Sequence, residues 1–435
     1  MIILLLGTHL YLTFRLKFPQ RMIFRGIRLS VSRDKDSGGD VSPFGALTTA
    51  LAATIGTGNI IGVATAVSMG GPGAVLWCWL TGVFGIATKY SEGLLAVKYR
   101  VKTSDGTMIG GPMYALERGL HARWLAVLFC IFTFIAALGI GCSVQANSIA
   151  TLMSDTFGVS SWITGLVLAV LAAMVILFGI RGIARVCAWL VPFMALFYIL
   201  GCLYILVVNA SYLGEALQVI VRSAFSARAM GGGLTGGGLM MAMRYGIARG
   251  LFSNESGMGS APIIAAAAKT RNAARQALVS ATGTFWDTVV VCALTGLVLV
   301  SSILKYPDID YHNGAALTQM AFDKVPLVGP LVLTMGLLTF TFSTILGWSY
   351  YAEKSIEYLG GKHLIKYYRM VYIVAVFVGA VVNLALIWNV ADCMNALMAI
   401  PNLIALLLLS GVLVKETDKY LWGGHLADYD PTVQG

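Results

Sequence analysis

Charge is scarce in this sequence. Of 435 residues, 11% are Asp, Glu, Lys or Arg, whereas 58% are hydrophobic, and the mean hydropathy is +0.80. A soluble domain is about 25% charged, so this chain lacks the polar side chains to cover itself in water and must turn its apolar surplus to lipid. The cysteines (Cys78, Cys130, Cys142, Cys187, Cys202, Cys292, Cys393) show no CxxC or Cys/His spacing, which leaves no zinc or redox motif and reads as helix packing. The five histidines are scattered, mostly in expected loops, and no nucleotide-binding loop is present. These absences argue against an enzyme, an ATP-driven pump and an organic cofactor. Basic residues are not interleaved with aromatics, so nucleic acid is not an expected partner. No linker or low-complexity tail marks a second domain, and no obligate protein partner is evident.

What is present is a series of long apolar runs. Ten of them, at roughly 44–70, 74–98, 124–150, 161–179, 186–208, 233–268, 276–303, 328–356, 366–387 and 390–414, reach the length of a membrane span. Residues 1–19 form a shorter apolar stub whose positive charges, Arg15 and Lys17, follow the apolar run. That order is the reverse of a signal peptide. The stub therefore reads as the tail of an additional N-terminal helix whose start precedes this sequence, giving about eleven spans. Segments 209–228 and 307–322 are too polar to span and read as surface helices or partial caps.

The net charge of +10 is unevenly placed. Arg15, Lys17, Arg21, Arg25, Arg28, Arg33 and Lys35 cluster before or within a basic loop at 20–43. Arg100, Lys102, Arg118 and Arg123 fall in the second loop on that side, and Arg181, Arg185, Lys269, Arg271, Arg275, Lys362, Lys366, Arg369, Lys415 and Lys419 continue the pattern. The opposite loops carry Arg222, Arg228, Lys305 and Lys324. Lys and Arg favour cytoplasmic loops, which predicts a multi-pass protein of the cell (inner) membrane, N-terminus outside, with a cytoplasmic tail at 415–435.

Two spans are interrupted. Gly56-Thr57-Gly58-Asn59 breaks one near its middle, and Ser253-Asn254-Glu255-Ser256-Gly257-Met258-Gly259-Ser260-Ala261-Pro262 breaks another. Glycine weakens a helix by about 1 kcal/mol relative to alanine and proline by about 3, and unwound backbone at bilayer depth is tolerated only inside protein or along a cavity. The stretch Gly56-Thr57-Gly58-Asn59-Ile60-Ile61 aligns with Gly257-Met258-Gly259-Ser260-Ala261-Pro262. Each break opens a block of five spans, 44–208 and 229–414, and an odd count inverts the second block. Paired broken helices in corresponding halves point to a transporter's midplane site. Exposed N–H groups at half-helix starts suit a carboxylate, and exposed carbonyls suit a cation. The competing explanation is close helix crossing through small residues, which Gly62, Gly70 and Gly82 fit.

With Thr54-Ile55-Gly56-Thr57-Gly58-Asn59-Ile60, Gly70-Gly71-Pro72-Gly73-Ala74-Val75-Leu76-Trp77-Cys78-Trp79, Gly246-Ile247-Ala248-Arg249-Gly250-Leu251-Phe252-Ser253-Asn254-Glu255 and Ala399-Ile400-Pro401-Asn402-Leu403, the chain resembles the alanine or glycine:cation symporters. Leu76, Cys78 and Gly82 depart from that family's usual residues, in a packing stretch. The resemblance implies an all-α membrane fold of the LeuT type, an inverted five-plus-five repeat with one extra N-terminal helix and two discontinuous helices. It also implies uptake of alanine or glycine driven by Na⁺ or H⁺.

By the same resemblance, the substrate carboxylate would rest on Gly56, Thr57 and Gly58, and the ammonium would meet carbonyls near Phe252 and Ser253. Asn59 would offer its amide oxygen to substrate or cation, unless it bonds the broken helix's own backbone. Gln145 is a second contact or an interhelical amide, and Phe252 and Trp348 are apolar walls or packing. Na⁺ would sit among Ala52, Ile55, Ser343 and Thr344, unless the hydroxyls bond back to their own helix. Of the intramembrane charges, Lys89 and Glu92 read as a pair or as snorkelling ends. Asp287 is a proton or cation candidate or else a partner of Arg244 or Arg249, and Asp392 a gate residue for those arginines. Serine, D-alanine and glutamine are alternative substrates. An ion channel or membrane sensor is the alternative class, though the sequence offers neither a symmetric filter nor an output domain.

Overall fold

A computed structural model of the chain describes residues 1–32, 37–225, 238–382 and 385–433. Arg33, Lys35 and Arg228, counted above among loop cations, lie outside the described residues, as do positions 233–237 of the sixth apolar run and the side chain of Asp392.

The stub forms α1 (Ile2–Arg15), which packs on a later span through a buried His9 whose Nδ1 lies 2.7 Å from Thr88 Oγ1. An amphipathic helix, α2 (Ile23–Ser30), follows. The first broken span begins at Pro43, whose fixed φ suits a first helical position, and Ser42 Oγ caps it by accepting from Gly45 N at 3.0 Å. Its halves are α3 (Pro43–Thr54) and α4 (Gly58–Gly70), bent by 54°. Then come α5 (Ala74–Lys98), a hairpin of β1 (Val101–Lys102) and β2 (Met108–Ile109), and α6 (Arg123–Phe157). The first half closes with α7 (Ser161–Ile176) and α8 (Gly179–Val208).

The segment after it folds as α9 (Ala210–Phe225), which buries Ala216, Ile220 and Ala224 and packs on α5 and on the span that follows the second break. The second broken span has α10 (Leu239–Asn254) and, after seven non-helical residues (255–261), the short α11 (Pro262–Ala265). Next are α12 (Ala273–Lys305), the capping helix α13 (Gly314–Asp323), α14 (Val328–Gly360) and α15 (Leu364–Val381). The last span, α16 (Ala385–Leu408), does not run straight to 414: it bends by 59° and continues as α17 (Ser410–Trp422). Beyond it the chain folds back, and Arg100, buried, donates to the carbonyls of Gly38, Ala266, Ala268 and Val433 at 2.7–3.0 Å.

Among the described residues, five helices (α6, α8, α12, α14 and α15) are long and apolar enough to cross a bilayer, and the two bent pairs, α3 with α4 and α16 with α17, add up to two more. Their outward faces are apolar, as with Trp189, Phe193 and Leu196 on α8, which is the surface a helix presents to lipid. In the interior, α3 packs on α14, and α5 packs on both α10 and α12. The two breaks therefore meet at the centre, walled by α6 and α14.

Candidate substrate and cation site

The first break leaves the helical region at Ile55 (φ −75°, ψ 98°) and resumes at Gly58. Asn59 holds this kink together. Its Oδ1 accepts from Gly56 N at 2.9 Å, and its Nδ2 donates to Asp287 Oδ1 at 2.7 Å and Asp287 O at 3.2 Å. The amide oxygen read above as a substrate or cation contact is thus engaged by the break's own backbone. Asp287 is buried on α12. Its Oδ2 accepts from Ser253 Oγ at 2.9 Å and Thr288 Oγ1 at 2.6 Å. Its side-chain partners are Asn59, Ser253 and Thr288 rather than the arginines. Arg244 and Arg249 instead line a cavity with α1, α16 and Phe252, their guanidinium carbons 5.6 Å and 6.0 Å from the rings of Tyr245 and Phe252.

The two breaks touch. A Cβ on Gly58 would stand 3.2 Å from Phe252 Cδ1 and 3.3 Å from Ser253 Cα. Beside them, Gln145 donates from Nε2 to Ile140 O at 3.1 Å. Its Oε1, buried and without a hydrogen-bond partner, lies 3.7 Å from where a Gly56 Cβ would be. A bare amide oxygen at this depth costs free energy until a donor meets it. Trp348, fully buried on α14, packs so closely on α6 that a Cβ on Gly141 would fall 2.5 Å from its own Cβ.

On the other flank of α3, the chosen oxygens converge. Ser343 Oγ lies 3.1 Å from Ala52 O, and Thr344 Oγ1 lies 3.4 Å from Ile55 O. Both hydroxyls also donate to Phe340 O, at 2.8 and 2.9 Å, so the back-bonding alternative and the shared oxygen cluster coexist. Phe340 O is a further oxygen that sequence reading missed. Hard cations take oxygen ligands at roughly 2.3–2.6 Å, and ligands at that radius a right angle apart stand about 3.4 Å from one another.

The second break is held by carboxylates. Gly257 (φ 90°) and Gly259 (φ 86°) occupy backbone that side chains rarely adopt. Their N–H groups donate to Glu92 Oε1 at 3.1 and 2.9 Å, and Asn402 Nδ2 donates to the same oxygen at 2.7 Å. Lys89 Nζ lies 3.8 Å from Glu92 Oε2. Both residues are buried, which corrects the reading of snorkelling ends and gives Glu92 and Asn402 a part in the site that was not foreseen. Their helical i,i+3 spacing announced a pair, but nothing local announced the contact 165 residues away.

A model of the sodium:alanine symporter family matches residues 1–432. The chain belongs to that family. It is 52% identical to the sodium/alanine symporter AgcS of Methanococcus maripaludis, over 97% of this chain and 94% of that protein. It is 37% identical to the probable sodium/glutamine symporter GlnT of Bacillus subtilis, over 97% of this chain and 87% of that one. Among solved structures, MhsT in complex with L-phenylalanine superposes with a TM-score of 0.61 at 14% identity, covering 91% of this chain and 96% of that one. This likeness identifies the LeuT-type fold expected above. The family member is a multi-pass membrane transporter, not an enzyme.

Proposed function

We propose that this symporter imports a small neutral amino acid, alanine or glycine, together with Na⁺ by alternating access across the cell (inner) membrane, with its N-terminus outside and C-terminus cytoplasmic. The contact between the two breaks is the observation that carries this reading. At that contact the N–H groups of Thr57 and Gly58, at the start of α4, are where a carboxylate would gain from the helix dipole. The unpartnered Gln145 Oε1 stands ready for the ammonium, along with carbonyls at Phe252 and Ser253. Phe252 and Trp348 are the apolar walls that limit the substrate's side chain. The C-terminal carbonyls of α3, at Ala52 and Ile55, with Ser343 and Thr344, form the Na⁺ site. Closing and opening α3 and α4 against α14 would then make cation and substrate occupancy interdependent, since both ligands lean on the same kink.

Binding of labelled alanine to the purified protein in detergent, titrated with Na⁺ at constant ionic strength, tests this. Saturable binding that requires Na⁺ and is displaced by glycine is expected; binding indifferent to Na⁺ would refute the coupling. The buried carboxylate of Asp287 favours a second reading, in which a proton is the coupling ion. In that case binding would follow pH and not Na⁺.

A further inference from the structure

We propose that Glu255 is a positioning residue that makes transport sensitive to substrate size, by tying the second break to the indole of Trp348. This rests on the reading of Trp348 as a wall of the substrate site. Glu255 terminates α10 in the left-handed region (φ 53°, ψ 22°), a conformation that a non-glycine side chain adopts only when its surroundings impose it. Its carboxylate is the group the surroundings grip. Oε1 accepts from Trp348 Nε1 at 3.1 Å on α14, and Oε2 accepts from Ser260 Oγ within the break, two residues before α11 resumes at Pro262. Glu255 and Trp348 are both buried, 3% and 0% exposed.

The consequence is mechanical. The base of the indole is closely packed on its α6 side, where a Cβ at Gly141 would fall 2.5 Å from Trp348 Cβ and 2.8 Å from its Cγ, and Tyr351 packs edge-on with ring centroids 5.7 Å away. A side chain larger than methyl would displace the indole, stretch its bond to Oε1 and pull on residues 255–260. The break would then fail to reach the geometry needed for closure. Small substrates leave the bond intact, so size is read as a conformational condition in addition to a steric one.

Uptake of labelled alanine, serine and glutamine into proteoliposomes should be compared for the wild type, Glu255→Ala, Glu255→Gln, Trp348→Phe and Trp348→Ala. Glutamine at Glu255 retains an acceptor for the indole and a donor for Ser260, so Glu255→Gln should keep the wild-type selectivity. Trp348→Phe keeps a ring but removes the donor, and Glu255→Ala removes the acceptor. Each should raise large-to-small uptake ratios about tenfold, as expected for loss of one buried hydrogen bond. The Glu255→Ala/Trp348→Phe double variant should add nothing further. If Trp348→Ala leaves selectivity unchanged, the wall reading fails. If Trp348→Ala broadens selectivity while Trp348→Phe does not, or if Glu255→Gln behaves like Glu255→Ala, the positioning role of the bond is overturned. Should Glu255→Ala not fold, Trp348→Phe and Glu255→Gln decide the matter.

Discussion

Replacing Asn59 with alanine removes a side chain that joins the first break to α12. Gly56 N–H loses its acceptor at 2.9 Å and Asp287 Oδ1 its donor at 2.7 Å, in a site with no exposed surface at Asn59. Each buried group left unpaired costs about 1–3 kcal/mol, so the kink loses about 2–6 kcal/mol. At about 1.4 kcal/mol per tenfold, the population of the binding-competent kink falls by about 30-fold or more. Asn59→Ala should therefore abolish concentrative alanine uptake in proteoliposomes, while the variant still purifies as a folded monodisperse protein, because the lost hydrogen bonds lie within the first break and between it and α12. Asn59→Asp should be no better: it keeps an acceptor for Gly56 but sets a second carboxylate against Asp287, and like charges at that spacing cannot both remain ionised. Wild-type accumulation by Asn59→Ala would refute both the energetic reasoning and the placement of the site.

Other perturbations separate the parts. Thr344→Ala removes a hydroxyl from the proposed Na⁺ site and should raise the Na⁺ concentration for half-maximal uptake about tenfold; an unchanged Na⁺ dependence would move the cation elsewhere. Glu92→Leu leaves Lys89 without its counter-charge and frees the Gly257 and Gly259 N–H groups, so thermal unfolding should register a loss of about 3–5 kcal/mol. A Lys89→Met/Glu92→Leu pair should be milder, and equal losses would contradict the charge argument. Arg100→Ala leaves four carbonyls without their donor, three of them in buried bonds, costing about 2–4 kcal/mol or more. It should expose the segment near Val433 to proteolysis, and unchanged cleavage kinetics would remove the clamp.

The two interruptions were legible in the sequence because glycine and proline clusters inside apolar runs are costly unless they work, and two of them stood in corresponding places. The pairs Ala52–Ser343 and Ile55–Thr344 came from family resemblance, and local spacing would not have joined residues 289–291 apart. What stayed hidden was long-range and polar: Glu92 reaching Gly257 and Gly259, and Glu255 reaching Trp348, whereas Asn59 turning its oxygen to its own break was one of the two alternatives read from the sequence. Such bonds depend on which face a helix shows to a partner hundreds of residues away, and helical periodicity carries no record of that. The bend at Leu409 was not foreseen either, although Ser410-Gly411 stands immediately after it.

The central claim is that two abutting breaks hold a zwitterion and its driving ion together. Purified protein in proteoliposomes, given labelled alanine with an imposed inward Na⁺ gradient, should accumulate it above equilibrium and lose that accumulation when the gradient is collapsed. Alanine flux that merely equilibrates, whatever the Na⁺ gradient, would contradict the account.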